Sequence, residues 1–295
     1  GTSLGGAIRA IRSSPVLTDC TFIANAAAGQ DGQHLGGAIA NYAGHPAMKD
    51  CLFRENMALG SKGGALYNHD RSNPTITDCV FEGNLAGSGG AICNDDSSSP
   101  RITHCIFLVN EAHTERGGAI HNAGNCTATT MACLFVGNIA ANEGGAVYSL
   151  GRPYFLNCLF SANAANNGAA AFIESAGEAT FINCTISGNV AARNGGAIYG
   201  RQSMMKATNC ILWGDHPDEV YLMNGTASVT YSDIESTWTG EGNIHSDPEF
   251  LDPAGADAIR GTLDDDLRLS LGSPCLDMGS NGAILPSMMM DLDGR

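Results

Sequence analysis

Positive charge is scarce in this chain: 15 Lys and Arg stand against 30 Asp and Glu, a formal net charge of -15 over 295 residues. Nucleic acid is therefore excluded as a partner, because a polyanion has to be met by clustered cations. Charged residues of both signs reach only 15%, below the ~25% of an ordinary domain. No run of about 18 apolar residues occurs, so no membrane span is expected. Residues Gly1 to Gly6 offer no initiator Met, no basic n-region and no apolar h-region, and the chain reads as a processed or excised fragment. Helical periodicity is missing as well: every apolar segment is short, β-branched or aromatic, and bounded by Gly, Asn, Asp, Ser or Pro.

What is abundant is glycine, 38 residues, and it recurs with a period. Gly-Gly-Ala-(Ile/Leu/Val) begins at Gly5, Gly36, Gly63, Gly89, Gly117, Gly144 and Gly195, with a degenerate copy at Gly168. Each copy is followed by Cys-x-Phe-x-x-Asn: Cys20-Phe22-Asn25, Cys51-Phe53-Asn56, Cys79-Phe81-Asn84, Cys105-Phe107-Asn110, Cys133-Phe135-Asn138 and Cys158-Phe160-Asn163. The pattern then relaxes to Cys184-Ile186-Asn189 and Cys210-Leu212-Asp215. A period near 27 residues built from short strands is the mark of a solenoid. Three strands fit into each unit, namely the Gly-Gly-Ala-Ile segment, an x-Ile segment such as Thr75-Ile76, and Cys-x-Phe, in which Cys and Phe share a face. A turn-forming residue stands before most of the cysteines (Asp19, Asp50, Asp78, Asn157, Asn183, Asn209), so the chain bends there.

The expected fold is all-β: a right-handed, three-sided parallel β-helix of about eight to nine coils over residues 1–215, with a last irregular coil and a C-terminal cap over 216–295. Like residues stack at ~4.8 Å into Phe, Ile and Cys ladders inside, with an Asn ladder at a corner. The eight ladder cysteines then read as small buried hydrophobes rather than a disulfide framework, because stacked Cβ vectors run parallel. Cys93, Cys126 and Cys275 lie outside the ladder, and whether they form disulfides is left open.

The alternation of Gly-Gly-Ala-Ile with Phe-x-x-Asn resembles the repeats of chlamydial polymorphic outer-membrane proteins and, more widely, bacterial surface and secreted β-helix proteins. The C-terminal run Asn209-Cys210-Ile211-Leu212-Trp213, Asp247-Pro248-Glu249-Phe250 and Gly272-Ser273-Pro274-Cys275-Leu276-Asp277-Met278-Gly279 resembles the tail of choice-of-anchor Q proteins. Both resemblances imply an extracellular or cell-surface protein. The second implies an anchoring signal beyond Arg295.

Three patches carry candidate chemistry. The corner after the first strand holds His45, His69, Asp70, Arg71, Asp95 and Asp96 in consecutive coils, where carboxylates and imidazoles could bind calcium or act as acid and base. The residue after the strand Ile is expected to point outward, which makes Tyr148, Phe172 and Tyr199, with Tyr67 and His121 in the same column, a flat stacking face for sugar rings or another protein. The Ala of each Gly-Gly-Ala-Ile is expected to point outward too, keeping that face low in relief. The acidic tail ends in Asp291 and Asp293, weak calcium ligands at best because the remaining oxygens of a calcium loop are missing. No other cofactor is called for. The Asp pairs and Arg-x-Lys of polygalacturonases and the Arg/Lys clusters of polyuronate lyases are absent. The leading expectation is a structural or adhesive surface element that binds polysaccharide or a surface protein, or associates with its own kind laterally or end to end. The alternative is a lyase or hydrolase acting on acidic polysaccharide.

Overall fold

The computed structural model describes residues 3–27, 34–175 and 177–283. It is a parallel β-solenoid in which three sheets of nine strands each run the length of the rod. The first sheet carries the Gly-Gly-Ala-Ile segments, from Ile8–Ile11 to Val220–Met223; the second runs from Val16–Thr18 to Thr226–Thr230; the third holds Cys-x-Phe, from Thr21–Ile23 to Asp233–Ile234. Every strand of these three sheets pairs in parallel with its equivalent one coil away, bringing Phe81 beside Phe107 and Phe107 beside Phe135, and Asn94 beside Asn122. Among the described residues no helix is long and apolar enough to cross a membrane.

The bend before each cysteine has a backbone cause. Asp19, Asp50, Asp78, His104, Ala132, Asn157, Asn183 and Asn209 all sit at φ between 50 and 56°, in the left-handed region that Asn and Asp tolerate best. Inside, Phe22, Phe53, Phe81, Phe107, Phe135 and Phe160 stack with centroids 4.7–4.9 Å apart. Cysteines 51 to 210 of the ladder are buried beside them, and none is paired. The corner ladder runs as expected: Asn25 Nδ2 donates to Asn56 Oδ1 at 2.8 Å, and the relay passes through Asn84, Asn110, Asn138 and Asn163 to Asn189. Each amide from Asn56 onward also donates to a Phe carbonyl of the previous coil, such as Asn110 to Phe81 at 2.9 Å.

The all-β parallel solenoid with three main sheets is as expected, and two details of the coil differ. A fourth sheet of six strands, from Met57–Lys62 to Val190–Asn194, occupies the link between the corner Asn and the next Gly-Gly. Its inward Ala58, Ala86, Ala112, Ala140, Ala165 and Ala191 are buried, small enough for the chain to close there. The Ala of Gly-Gly-Ala-Ile is not outward either: Ala38, Ala65, Ala91, Ala119, Ala146, Ala170 and Ala197 belong to the main core with the neighbouring strand residues. Strand alternation fails at this point because the amides of Ala119 and Ile120 both donate to Ala146 O, a local bulge.

The ninth coil is closed by residues 235–283. Trp238 packs against the core, and an antiparallel pair, Phe250–Asp252 with Asp266–Leu269, forms the only such ladder among the described residues. Asp291 and Asp293 lie outside the described residues.

Candidate functional site

The first sheet's outer side is where chemistry collects, and two glycines put it there. Gly144 has φ 70°, and a Cβ on it would fall 2.3 Å from Val147 O; one on Gly145 would fall 2.4 Å from Ala169 O. Only glycine fits so tight a pinch. The pinch turns the chain back sharply, so that the residue before Gly-Gly lies beside the outward residues of the strand after it.

Tyr148, Phe172 and Tyr199 do stack as a column outside the main core, with Tyr148–Phe172 centroids 5.7 Å and Phe172–Tyr199 centroids 4.6 Å apart. They are not the exposed face expected from sequence. Tyr148 and Phe172 are wholly inaccessible and Tyr199 is 6% exposed; Tyr67 and His121 in the same column are buried as well. Over Tyr148 and Phe172 lies a ring of charge. Arg116 lies 4.8 Å over the Tyr148 ring and Arg201 lies 5.0 Å over Phe172. Arg116 Nε approaches Glu143 Oε2 at 2.9 Å, Arg201 Nη1 approaches Glu143 Oε1 at 3.3 Å, and Arg201 Nη2 reaches Glu174 Oε1 at 2.5 Å. Arg116 Nη1 closes the circuit 3.9 Å from Glu174. The Tyr148 hydroxyl accepts from Arg116 at 2.7 Å and donates to Glu174. Burial, helped by the hydrogen bond to Glu174, pushes the Tyr148 phenol upward and keeps it a donor.

The corner patch divides. Asp95 accepts from Lys62 Nζ at 2.7 Å and from the Tyr67 hydroxyl at 3.3 Å. The same hydroxyl lies 3.2 Å from His69 Nδ1, and His69 Nε2 is 4.0 Å from Asp96. Burial works to raise the Asp95 carboxyl, but the Lys62 ammonium outweighs it and holds it below the usual range. His45 goes elsewhere, its Nδ1 accepting from Asn73 N at 3.2 Å. Asp70 and Arg71 are exposed at left-handed turn positions, φ 53° and 57°. So Asp95, His69 and Asp96 come together with Lys62, while His45, Asp70 and Arg71 do not join them. Among the described residues no group of three or more His, Cys, Asp or Glu is arranged to hold a metal ion.

Arg116, Glu143, Glu174 and Arg201 were missed as site residues because each is unremarkable in its own coil. A signal exists in register. The residue before Gly-Gly reads Lys62, Ser88, Arg116, Glu143 in successive coils, and the strand position three after Ala171 or Ile198 reads Glu174, Arg201.

A family model described as "Right handed beta helix region" matches residues 2–138. A second, the Chlamydia polymorphic membrane protein repeat, matches residues 132–150 and 183–201. Those two segments contain Glu143, Tyr148, Tyr199 and Arg201. No curated protein and no solved structure matches the chain significantly.

Proposed function

We propose, for a chain that is a right-handed parallel β-helix with polymorphic-membrane-protein repeats among its coils, that it is a surface-exposed adhesive element which binds uncharged glycan at the Arg116–Glu143–Tyr148–Glu174–Arg201 ring. The observation that carries this reading is the ring itself. Two guanidiniums and two carboxylates pair with one another in a circuit, at a formal net charge of zero, above stacked aromatics. Planar fork-shaped groups of this kind pair with vicinal hydroxyls through bidentate hydrogen bonds. A charge-neutral site also suits a neutral sugar better than a polyuronate, which the overall charge of -15 repels. Contact comes through the polar rim, because the rings beneath are sealed.

The test is a glycan array with the parent protein and the Glu143→Gln/Glu174→Gln double variant. Binding by the parent and at least a tenfold loss in the variant, with far-UV dichroism unchanged, is expected. Equal binding by both would move the site off the ring. Self-association is the other reading, favoured by Ile139 and Val190, which stand 49% and 51% exposed in one outward column of the fourth sheet. Sedimentation of an Ile139→Lys variant checks it, with dissociation of any oligomer the expected result.

A further inference from the structure

The corner ladder ends on a residue that breaks its own rule. Asn189 Nδ2 and Asn189 N both donate to Asp215 Oδ1 at 2.7 Å, so Asp215 accepts in the manner of every Asn before it. Its other oxygen fills the place where the ladder has an NH2 group. In coil after coil that group donates to the carbonyl of the previous coil's Cys-x-Phe strand, as Asn163 does to Phe135 at 3.0 Å and Asn189 to Phe160 at 3.1 Å. By the same register Asp215 Oδ2 meets the Ile186 position with a lone pair instead of a hydrogen. It is buried and has no hydrogen-bond partner.

Glu219 stands against it. The Asp215 amide donates to Glu219 Oε1 at 3.2 Å, the two side chains are within hydrogen-bonding reach of each other, and Glu219 Oε2 is also buried and unpartnered. Asp215 is 3% and Glu219 2% exposed. The group facing them from the last coil is another carboxyl, Glu235, whose Oε2 accepts from Gly214 N at 2.8 Å. From the other side they meet only the neutral Asn189 amide. Arg260 of the cap approaches Gly214, but it is exposed and no ion pair joins it to the three carboxyls among the described residues. Two carboxylates buried this close without a cation cannot both be ionised.

We infer that Asp215 and Glu219 are held together by protons, as a rung that replaces the amide by a carboxylic acid, and that this rung fastens the last coil to the rod in a pH-dependent way. A protonated carboxyl offers one acceptor and one donor, the pair of functions a ladder Asn supplies. Glu219 directly precedes the ninth strand of the first sheet, and its carbonyl accepts from Ile198 N at 2.9 Å. The coupling therefore runs from the carboxyl pair into strand Val220–Met223. Burial pushes both acids upward, Asp215 to about 6 and Glu219 to about 11. The folded state thus binds more protons than the unfolded chain above pH ~4. The rung's contribution is complete below that point, falls as pH rises through about 6, and falls further in alkali.

Hydrogen exchange of the 220–234 amides, corrected for intrinsic rates, tests this locally on the whole chain. The parent should lose protection at least tenfold between pH 5 and pH 8, while coils 79–163 should not. Asp215→Asn restores the amide that the seven preceding corners use, so it should fold, and its 220–234 protection should depend on pH distinctly less steeply than the parent's, with Glu219 left as the one raised acid. Glu219→Gln should flatten the profile in the same way. A parent profile that is already flat, or a variant that keeps the parent's slope, overturns the inference. Protection restored at pH 8 by millimolar Ca2+ in the parent but not in Asp215→Asn also overturns it, since the pair would then hold a metal ion and not protons.

Discussion

Each of the eight ladder cysteines donates its S–H to the carbonyl two residues earlier, at distances between 3.2 and 3.4 Å. That is how a row of thiols is tolerated inside: every sulfur has a partner, and burial pushes the Cys51 thiol upward, away from the reactive thiolate. Cys275 outside the ladder donates to Asp233 Oδ2 at 3.0 Å and is pushed up to about 12, by burial first and by that carboxylate second. Iodoacetamide on the native protein should label Cys20, the one ladder cysteine that is partly exposed, then Cys275 slowly, and leave the other nine for denaturant. Labelling of Cys93 or Cys105 in the native state would refute their burial. His121 gives the residue scale a pH term of the opposite sign to the carboxyl pair. Burial first, and the Lys62 charge second, lower it to about 4, so between pH 6.5 and 4 the unfolded chain takes up a proton that the folded one refuses. Stability should fall across that window by up to about 3 kcal/mol. His121→Asn should remove this term, making stability at pH 7 relative to pH 4.5 lower than in the parent by urea titration, and an unchanged difference between the two pH values would show that another group carries it.

Among elements, the Phe column makes the sharpest demand. Phe107 is fully buried between Phe81 and Phe135, with centroids 4.9 and 4.8 Å away, and Phe107→Ala should cost about 3–5 kcal/mol. Phe22 has one such neighbour, Phe53, and is 9% exposed, so Phe22→Ala should cost distinctly less. Equal losses in urea denaturation would contradict a stability built from neighbouring coils. The ladder bears on the same scale. Asn110 accepts from Asn84 N and Nδ2 and donates to Asn138 and the Phe81 carbonyl. Asn110→Ala strands several buried groups at about 1–3 kcal/mol each, whereas Asn110→Asp should create in mid-rod the same preference for acid that Asp215 has at its end. A melting temperature of Asn110→Asp that does not move between pH 5 and pH 8 would count against both readings.

For the whole molecule, what could be read in advance was whatever repeats. Period, parallel stacking, the Phe and Asn columns and the bend at Asp78 or Asn157 follow from one coil's chemistry copied many times. The site was hidden because it depends on how a coil closes. Alternation places Ala146 outside and Tyr148 exposed; the bulge at Gly-Gly turns Ala146 into the core and brings Glu143 and Arg116 back over Tyr148. No count along the strand reveals that, since Arg116, Glu143, Glu174 and Arg201 belong to four different coils. The fourth sheet escaped for a related reason: its inward residue is only Ala, too small to mark a strand.

Charge acts at that largest scale. Of the excess of 15 negative charges, 6 fall in residues 1–234, which hold the nine stacked rungs (12 cations against 18 carboxylates), and 9 in residues 235–295 (3 against 12); the rungs span roughly 40 Å at ~4.8 Å per rung. In ~0.01 M salt the screening length is about 30 Å, so one end of the rod feels most of the other; at ~0.15 M it is about 8 Å, and only neighbours within a coil or two still interact. Screening also weakens attractive pairs, but the main ones here, Arg116, Arg201, Glu143 and Glu174, are partly buried, with Glu143 and Glu174 side chains 12% and 17% exposed, and such pairs are screened less than exposed repulsions. Repulsion should therefore lose more than attraction does. Raising NaCl from ~0.01 to ~0.15 M should raise the melting temperature by a few degrees at neutral pH, and the gain should shrink near the isoelectric pH of about 4.7, where the net charge has been titrated away. A melting temperature that falls with salt at pH 7 would mean that attraction within the rod outweighs its overall charge.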